Sequence, residues 1–163
     1  MHMDQPHQKF MQAAIDLARA GMNTETGGPF GCVIVKDNQV IATGMNSVTS
    51  TNDPTAHAEV VAIRMACKVL ETYQLTGCDL YTSCEPCPMC LAAALWARID
   101  KVFFGNGSEA TENVGFIDRR ILEELKRPRQ ERTMPSEQLL ADEAGLVFQE
   151  WQDAKKRNRP EFT

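Results

Sequence analysis

Thr82-Ser83-Cys84-Glu85-Pro86-Cys87-Pro88-Met89-Cys90 is the stretch from which the rest of the chain is read. The run Cys78 to Thr82 leads into it as a short strand, and Ser83 to Pro86 connects that strand to a helix over about Pro88 to Ala97. Proline suits the head of a helix, because the N–H it lacks would have no partner in the first turn. Cys87 and Cys90 are three apart at this helix start and therefore share a face, where exposed N–H groups favour thiolate over thiol. Upstream, Ala56-His57-Ala58-Glu59 adds an imidazole and a carboxylate. His57, Cys87 and Cys90 make three of the donors that zinc prefers and leave a fourth tetrahedral position for water. Glu59, two residues past the histidine, is the candidate to carry the proton that such a site must move.

Each part has a plainer reading alone. A lone histidine is more often a core or capping residue than a ligand, and one C-x-x-C serves equally for a redox pair or half of a structural zinc site. The combination points to an open, catalytic zinc. Cys84 also stands three before Cys87, so a closed site of Cys84, Cys87, Cys90 and His57 can be written down. That site would leave Glu59 without work, and the extended geometry expected just ahead of Pro86 turns Cys84 away from the face that Cys87 and Cys90 share. Glu85 is expected to support the site structurally, and Trp96 and Met89 to be core or pocket wall.

Outward from the centre, strands and helices alternate. Phe10, Ala13, Ala14, Leu17 and Ala18 recur at helical spacing, with Gly21 as a stop. Phe30 to Val35 and Val40 to Met45 read as a hairpin turned by Lys36-Asp37-Asn38-Gln39 at a sheet edge. A polar loop over 46–54 leads to a helix from about Ala56 to Leu70, cored by Val60, Ile63, Cys67 and Leu70, with His57 in its first turn. Lys101 to Phe104 reads as a strand turned by Gly105-Asn106-Gly107. Ile117 to Lys126 is helical in pattern, Ser136 to Leu140 is a candidate strand, and Asp142 to Arg157 a helix with Leu146, Val147, Phe148 and Trp151 on its apolar side. This order predicts an α/β fold with helices covering a mixed sheet.

The chain's 163 residues suit one domain, 1–163, and 43% hydrophobic with 24% charged residues is an ordinary globular balance. Met1 to Phe10 lacks the apolar core of an export signal, and the longest apolar run, Cys90 to Ala97, is too short to span a bilayer, so a cytoplasmic protein without membrane partners is expected. With six cysteines and no export signal, burial or metal ligation is the better reading than disulfides, and Cys32, Cys67 and Cys78 read as small buried hydrophobes. A net charge of −5 argues against a broad nucleic-acid surface.

The pattern H-x-E followed by P-C-x-x-C is the known signature of zinc deaminases. With Pro54-Thr55-Ala56-His57-Ala58-Glu59 and Cys84-Glu85-Pro86-Cys87-Pro88-Met89-Cys90 in place, the sequence resembles the cytidine deaminase-like superfamily, and within it the small guanine deaminases. Gly27-Gly28-Pro29-Phe30-Gly31, Asn52-Asp53-Pro54, Tyr81-Thr82-Ser83, Trp96-Ala97-Arg98 and Gly115-Phe116 extend the likeness over nearly the whole chain. The resemblance implies a three-layer fold, one zinc per subunit, and hydrolytic deamination of a free purine base, guanine first. It also implies that Asn46 meets the polar edge of the base, Phe30 its ring, and Asp118 one of its N–H groups. Ordinary readings stand beside these: Asn46 closing a loop, Phe30 in the core, Asp118 capping a helix. The resemblance further implies a homodimer that exchanges C-terminal segments, here about 142–163.

One departure bears on substrate. The family pattern ends in a tyrosine that contributes to the site, whereas this chain ends Glu161-Phe162-Thr163. Phe162 can replace the ring but not the hydroxyl, which opens a shifted substrate preference. The alternatives are therefore a deaminase of another aminated base or nucleoside (isocytosine, ammeline, guanosine), a tRNA adenosine deaminase, which the acidic balance disfavours, or a zinc-stabilised binding module without catalysis.

Overall fold

The structure, a computed structural model, describes residues 5–116 and 118–155. These fall into two compact units, Met1–Glu123 and Glu124–Thr163.

In the first unit the hairpin is formed by β1 (Gly31–Lys36) and β2 (Gln39–Met45). Asp37 and Asn38 turn it with φ of 49° and 59°, the left-handed geometry that these two residue types tolerate. β3 (Cys78–Cys84) pairs antiparallel with β1 and parallel with β4 (Lys101–Asn106), giving the mixed order β2-β1-β3-β4. Both faces are covered, and the period-two alternation of side chains divides the core accordingly. Val33, Val35 and Tyr81 turn to α1 (Gln5–Asn23), where Phe10 is buried and Ala13 and Leu17 pack. Cys32, Ile34 and Leu80 turn the other way, to Ala58, Ala62, Ile63 and Ala66 of α3 (Ala58–Val69) and Ala94 of α4 (Pro88–Trp96). Each fully buried Ile, Val or Leu in these layers contributes about 1.5–3 kcal/mol. The expected architecture, a mixed sheet with helices on both faces, is the one observed.

Several boundaries differ from the sequence reading. The helix expected from Ala56 begins at Ala58, with His57 as its N-cap in extended backbone rather than in the first turn. Gly21 does not stop α1, which runs two residues further. β3 and β4 continue through Cys84 and Asn106, because parallel pairing extends to Cys84 and Asn106 and draws the expected connections into the sheet. The polar loop holds a short helix, α2 (Val48–Thr51), and another, α5 (Ser108–Asn113), follows β4. Trp96, expected in the core or a pocket wall, is 83% exposed at the end of α4, whereas Met89 packs against Cys87 and Cys90. Cys32 and Cys78 are fully buried, and Cys67 is partly buried against the core.

α6 (Asp118–Lys126) spans the boundary of the units. In the second, Arg127 pairs with Glu124 at 3.8 Å, Thr133 N–H donates to the Glu124 carboxylate, and α7 (Ala141–Lys155) closes the described chain. Ser136 to Leu140, read as a strand, is irregular and exposed, since no partner strand lies beside it among the described residues. No described helix is long and apolar enough to cross a membrane.

Candidate metal centre and its cleft

Two helix starts converge at this centre. His57 is the N-cap of α3 and Cys87 the N-cap of α4, each in extended backbone with its carbonyl accepting the first intrahelical bond, from Val61 N–H and Leu91 N–H at 2.9 Å. Pro88 follows Cys87 at the first helical position, and Cys90 lies one turn on. His57 Nδ1 is 3.6 Å from Cys87 Sγ and 3.5 Å from Cys90 Sγ, and the two sulfurs are 3.5 Å apart. A tetrahedral zinc with bonds of about 2.3 Å to sulfur and 2.0 Å to nitrogen separates such ligand atoms by roughly 3.5–3.8 Å. The donor set and its spacing thus fit zinc. These three form the only group of its kind among the described residues.

Cys84 stands outside that group, as expected from its extended setting, with Sγ 3.9 Å from the Gly107 carbonyl at the end of β3. Through its contact with Cys90 and with His57, the Cys87 thiol is held well below the usual thiol range, while Cys90, against Cys87 and burial, is raised. Cys87 thus carries thiolate readily, the form that binds metal.

Glu59 lies in the first turn of α3 and is 5% exposed. Thr82 Oγ1 donates to its Oε1 at 2.9 Å, and its Oε2 is 3.3 Å from Cys90 Sγ. Burial pushes the Glu59 carboxyl up from the ordinary carboxylate range.

A cleft of about 370 Å³, open to solvent, lies over the centre and is lined by Phe30, Asn46, His57, Glu59, Cys84, Glu85, Cys87 and Phe116. Its far wall comes from the open end of the hairpin. Phe30 directly precedes β1 and Asn46 directly follows β2, and Asn46 N–H donates to the Phe30 carbonyl at 3.0 Å. Asn46 is buried, and its Oδ1 accepts from Gly28 N–H at 3.2 Å and Val48 N–H at 3.3 Å. Those bonds leave the amide NH2 as the donor end for the cleft. Phe116 meets Phe30 edge-on, with ring centroids 4.8 Å apart. Glu85 accepts from Ser108 N–H at 2.9 Å and so ties the cleft to the start of α5.

The structure therefore brings together His57, Glu59, Cys87, Cys90, Asn46 and Phe30 of the residues picked out in the sequence. Asp118 begins α6, but its side chain lies outside the described residues, as does Phe162. Two residues of the site, Thr82 and Phe116, stood in the sequence only inside motifs that carry the family likeness, with no role assigned to either. Thr82 carried one further signal, a hydroxyl in the otherwise apolar row Cys78, Leu80, Cys84 of its strand.

Comparison with known proteins places this geometry among relatives. Residues 4–106 match the cytidine and deoxycytidylate deaminase zinc-binding region. A guanine deaminase of Bacillus subtilis (strain 168) is 52% identical over 147 residues, 90% of this chain and 94% of that protein. A tRNA-specific adenosine deaminase of Agrobacterium fabrum (strain C58) is 47% identical over 97 residues, 59% of this chain and 62% of that protein. The X-ray structure of guanine deaminase from Bacillus subtilis matches with a TM-score of 0.92 at 49% identity, covering 99% of this chain and all of that one.

Proposed function

The chain belongs to the family of the cytidine and deoxycytidylate deaminase zinc-binding region, and from that premise we propose that it hydrolyses the amino group of a free purine base, guanine and water giving xanthine and ammonia. One observation carries the reading. A buried carboxylate, Glu59, stands against the three-donor group at the floor of a cleft with two aromatic rings and an amide in its walls. The Bacillus subtilis relative, alike over nearly the full length of both chains, supports guanine as the base.

His57, Cys87 and Cys90 would hold zinc, which when bound supplies the Lewis acidity that makes water a nucleophile near neutral pH. Glu59 takes a proton from the attacking water and gives it to a ring nitrogen of the base. It then takes the proton of the hydroxyl now bonded to the amino-bearing carbon and delivers it to the departing amine, so that the carbon–nitrogen bond breaks, the carbonyl forms and ammonia leaves. A carboxyl raised by burial suits a group that must hold a proton between two transfers. Asn46 offers its NH2 to the polar edge of the base, and Phe30 faces the ring with Phe116 braced against it. In this reading Asp118 meets an N–H of the base and Phe162 covers it without a hydroxyl.

The resemblance also supports a homodimer in which segments of about 142–163 are exchanged. Six free cysteines fit a reducing, cytoplasmic setting.

The test is ammonia release by zinc-loaded protein from guanine, guanosine, adenine, cytosine, isocytosine and ammeline, with tRNA in parallel. Turnover of guanine is expected, and Glu59→Gln should lower it by roughly 10²–10⁴-fold with zinc still bound. Turnover of tRNA or another base with silence on guanine overturns the substrate. Silence on every compound, with unfolding on zinc removal, leaves a binding module.

A further inference from the structure

Thr82 sits in the middle of the sheet, on the face that packs against α3 and α4, and is fully buried. Strand alternation places it in one row with Cys78, Leu80 and Cys84. Packing alone would accept valine at this position, since the two side chains have nearly the same shape. A buried hydroxyl without a partner destabilises the fold, so its presence here has to be explained by the bond that it makes. That bond goes to Glu59 Oε1, at 2.9 Å, between two side chains held on different elements and 23 residues apart in sequence.

Glu59 has two carboxylate oxygens with different surroundings. Oε1 is taken by Thr82, whereas Oε2 faces the metal donors, 3.3 Å from Cys90 Sγ. A thiolate ligand has no proton to offer that oxygen, so once Cys90 binds metal the carboxylate keeps its own backbone N–H and the Thr82 hydroxyl as donors, and the hydroxyl is the one that ties it to the sheet. Proton transfer needs that orientation held to a fraction of an ångström.

We propose that Thr82 is the positioning residue for Glu59: its hydroxyl pins Oε1 and thereby aims Oε2 at the reacting atoms in the cleft. The inference rests on the deaminase reading, and on Glu59 as the proton carrier within it.

The test compares Thr82→Val, Thr82→Ser, Glu59→Gln and the double variant Thr82→Val with Glu59→Gln, using zinc-loaded protein and guanine. Thr82→Val should fold and keep zinc, with a somewhat lower melting midpoint because the buried Glu59 Oε1 loses its donor, and lose roughly 10–100-fold in kcat with KM unchanged, the range seen when the partner of a site residue is removed. Thr82→Ser, which restores the hydroxyl and loses only a methyl group, should recover most of that loss. In the Glu59→Gln background the valine should cost nothing further, because a residue acting through Glu59 has nothing left to orient. A Thr82→Val enzyme with wild-type kcat overturns the proposal, as does a loss that falls on KM, persists in Thr82→Ser, or multiplies with that of Glu59→Gln. If wild type releases no ammonia from guanine, or if Glu59→Gln is fully active, the underlying reading fails instead, and the two failures are told apart within one set of assays.

Discussion

Asp53 lies four residues ahead of His57, and its carboxylate sets the turn that delivers the histidine. Oδ1 accepts from Thr55 N–H at 2.8 Å and from the Thr55 hydroxyl at 2.6 Å, and Arg64 approaches Oδ2 at 3.4 Å. The next backbone bonds, Ala56 N–H to the Asp53 carbonyl and His57 N–H to the Thr55 carbonyl, complete the turn. The Thr55 bonds hold the Asp53 carboxyl below its ordinary range, with Arg64 adding to them. Folded protein thus binds this proton less readily than the unfolded chain, whose aspartates titrate near about 3.9. The stability Asp53 contributes is present above that value and drains as pH falls through the lower, folded pKa. Asp53→Asn keeps the acceptor oxygen and removes the charge. The gap in thermal midpoint between wild type and Asp53→Asn should therefore be steady from neutral pH to about 5 and close on further acidification. Both proteins have the same metal donors, so acid loss of zinc cancels in the comparison; a gap that stays constant to pH 3 would show that the charge is not what matters.

At the scale of elements, two glycines let the helices lie on the sheet. A Cβ on Gly31 would stand 2.2 Å from the Ala14 carbonyl oxygen of α1, and one on Gly44 would stand 2.1 Å from the Ala58 carbonyl and 2.7 Å from Ala62 N of α3. The atoms in the way are backbone, so a helix would have to move. Gly44 matters more for the site, because Ala58 separates His57 from Glu59. Gly44→Ala should lower stability by about 1–3 kcal/mol, the usual cost of overpacking, and weaken zinc retention as well; thermal melts with metal analysis would check both, and an unchanged melting midpoint would mean that the layers have slack. The same scale explains what the sequence disclosed. Motif spacing marked His57, Glu59, Cys87 and Cys90 because helix starts impose local geometry, and continuous β-branched runs such as Phe30 to Val35 marked the strands because both faces of the sheet are buried. Thr82 and Phe116 reach the site only through tertiary folding, so no local spacing announced them. His57 was placed in a helical turn rather than at its cap because hydrophobic periodicity locates a helix but not its first residue. Ser136 to Leu140 has strand-like composition without a strand beside it, which composition cannot reveal.

For the molecule as a whole, the homodimer proposed above, with its exchanged C-terminal segments, makes its own prediction. The unit Glu124–Thr163 carries Leu146, Val147 and Phe148 exposed on α7. In an exchanged homodimer, each active site would combine the centre of one chain with the tail of its partner, and the dependence is symmetric, as closed two-fold assembly requires. Mixing two inactive proteins tests this. One is the full chain with Glu59→Gln, which has a tail but no proton carrier; the other is a chain shortened after Ser136, which keeps Glu59, His57, Cys87 and Cys90 but has no tail. Dissociated together and reassociated, they should form mixed dimers in which the intact centre of the short chain receives the tail of the full one, so that ammonia release from guanine returns. Sedimentation would establish that mixed dimers of the expected mass are present, about 18.2 kDa for the full chain plus that of the shorter partner. If mixed dimers form and turnover stays absent, the tail closes the cleft of its own chain, and the two subunits work independently.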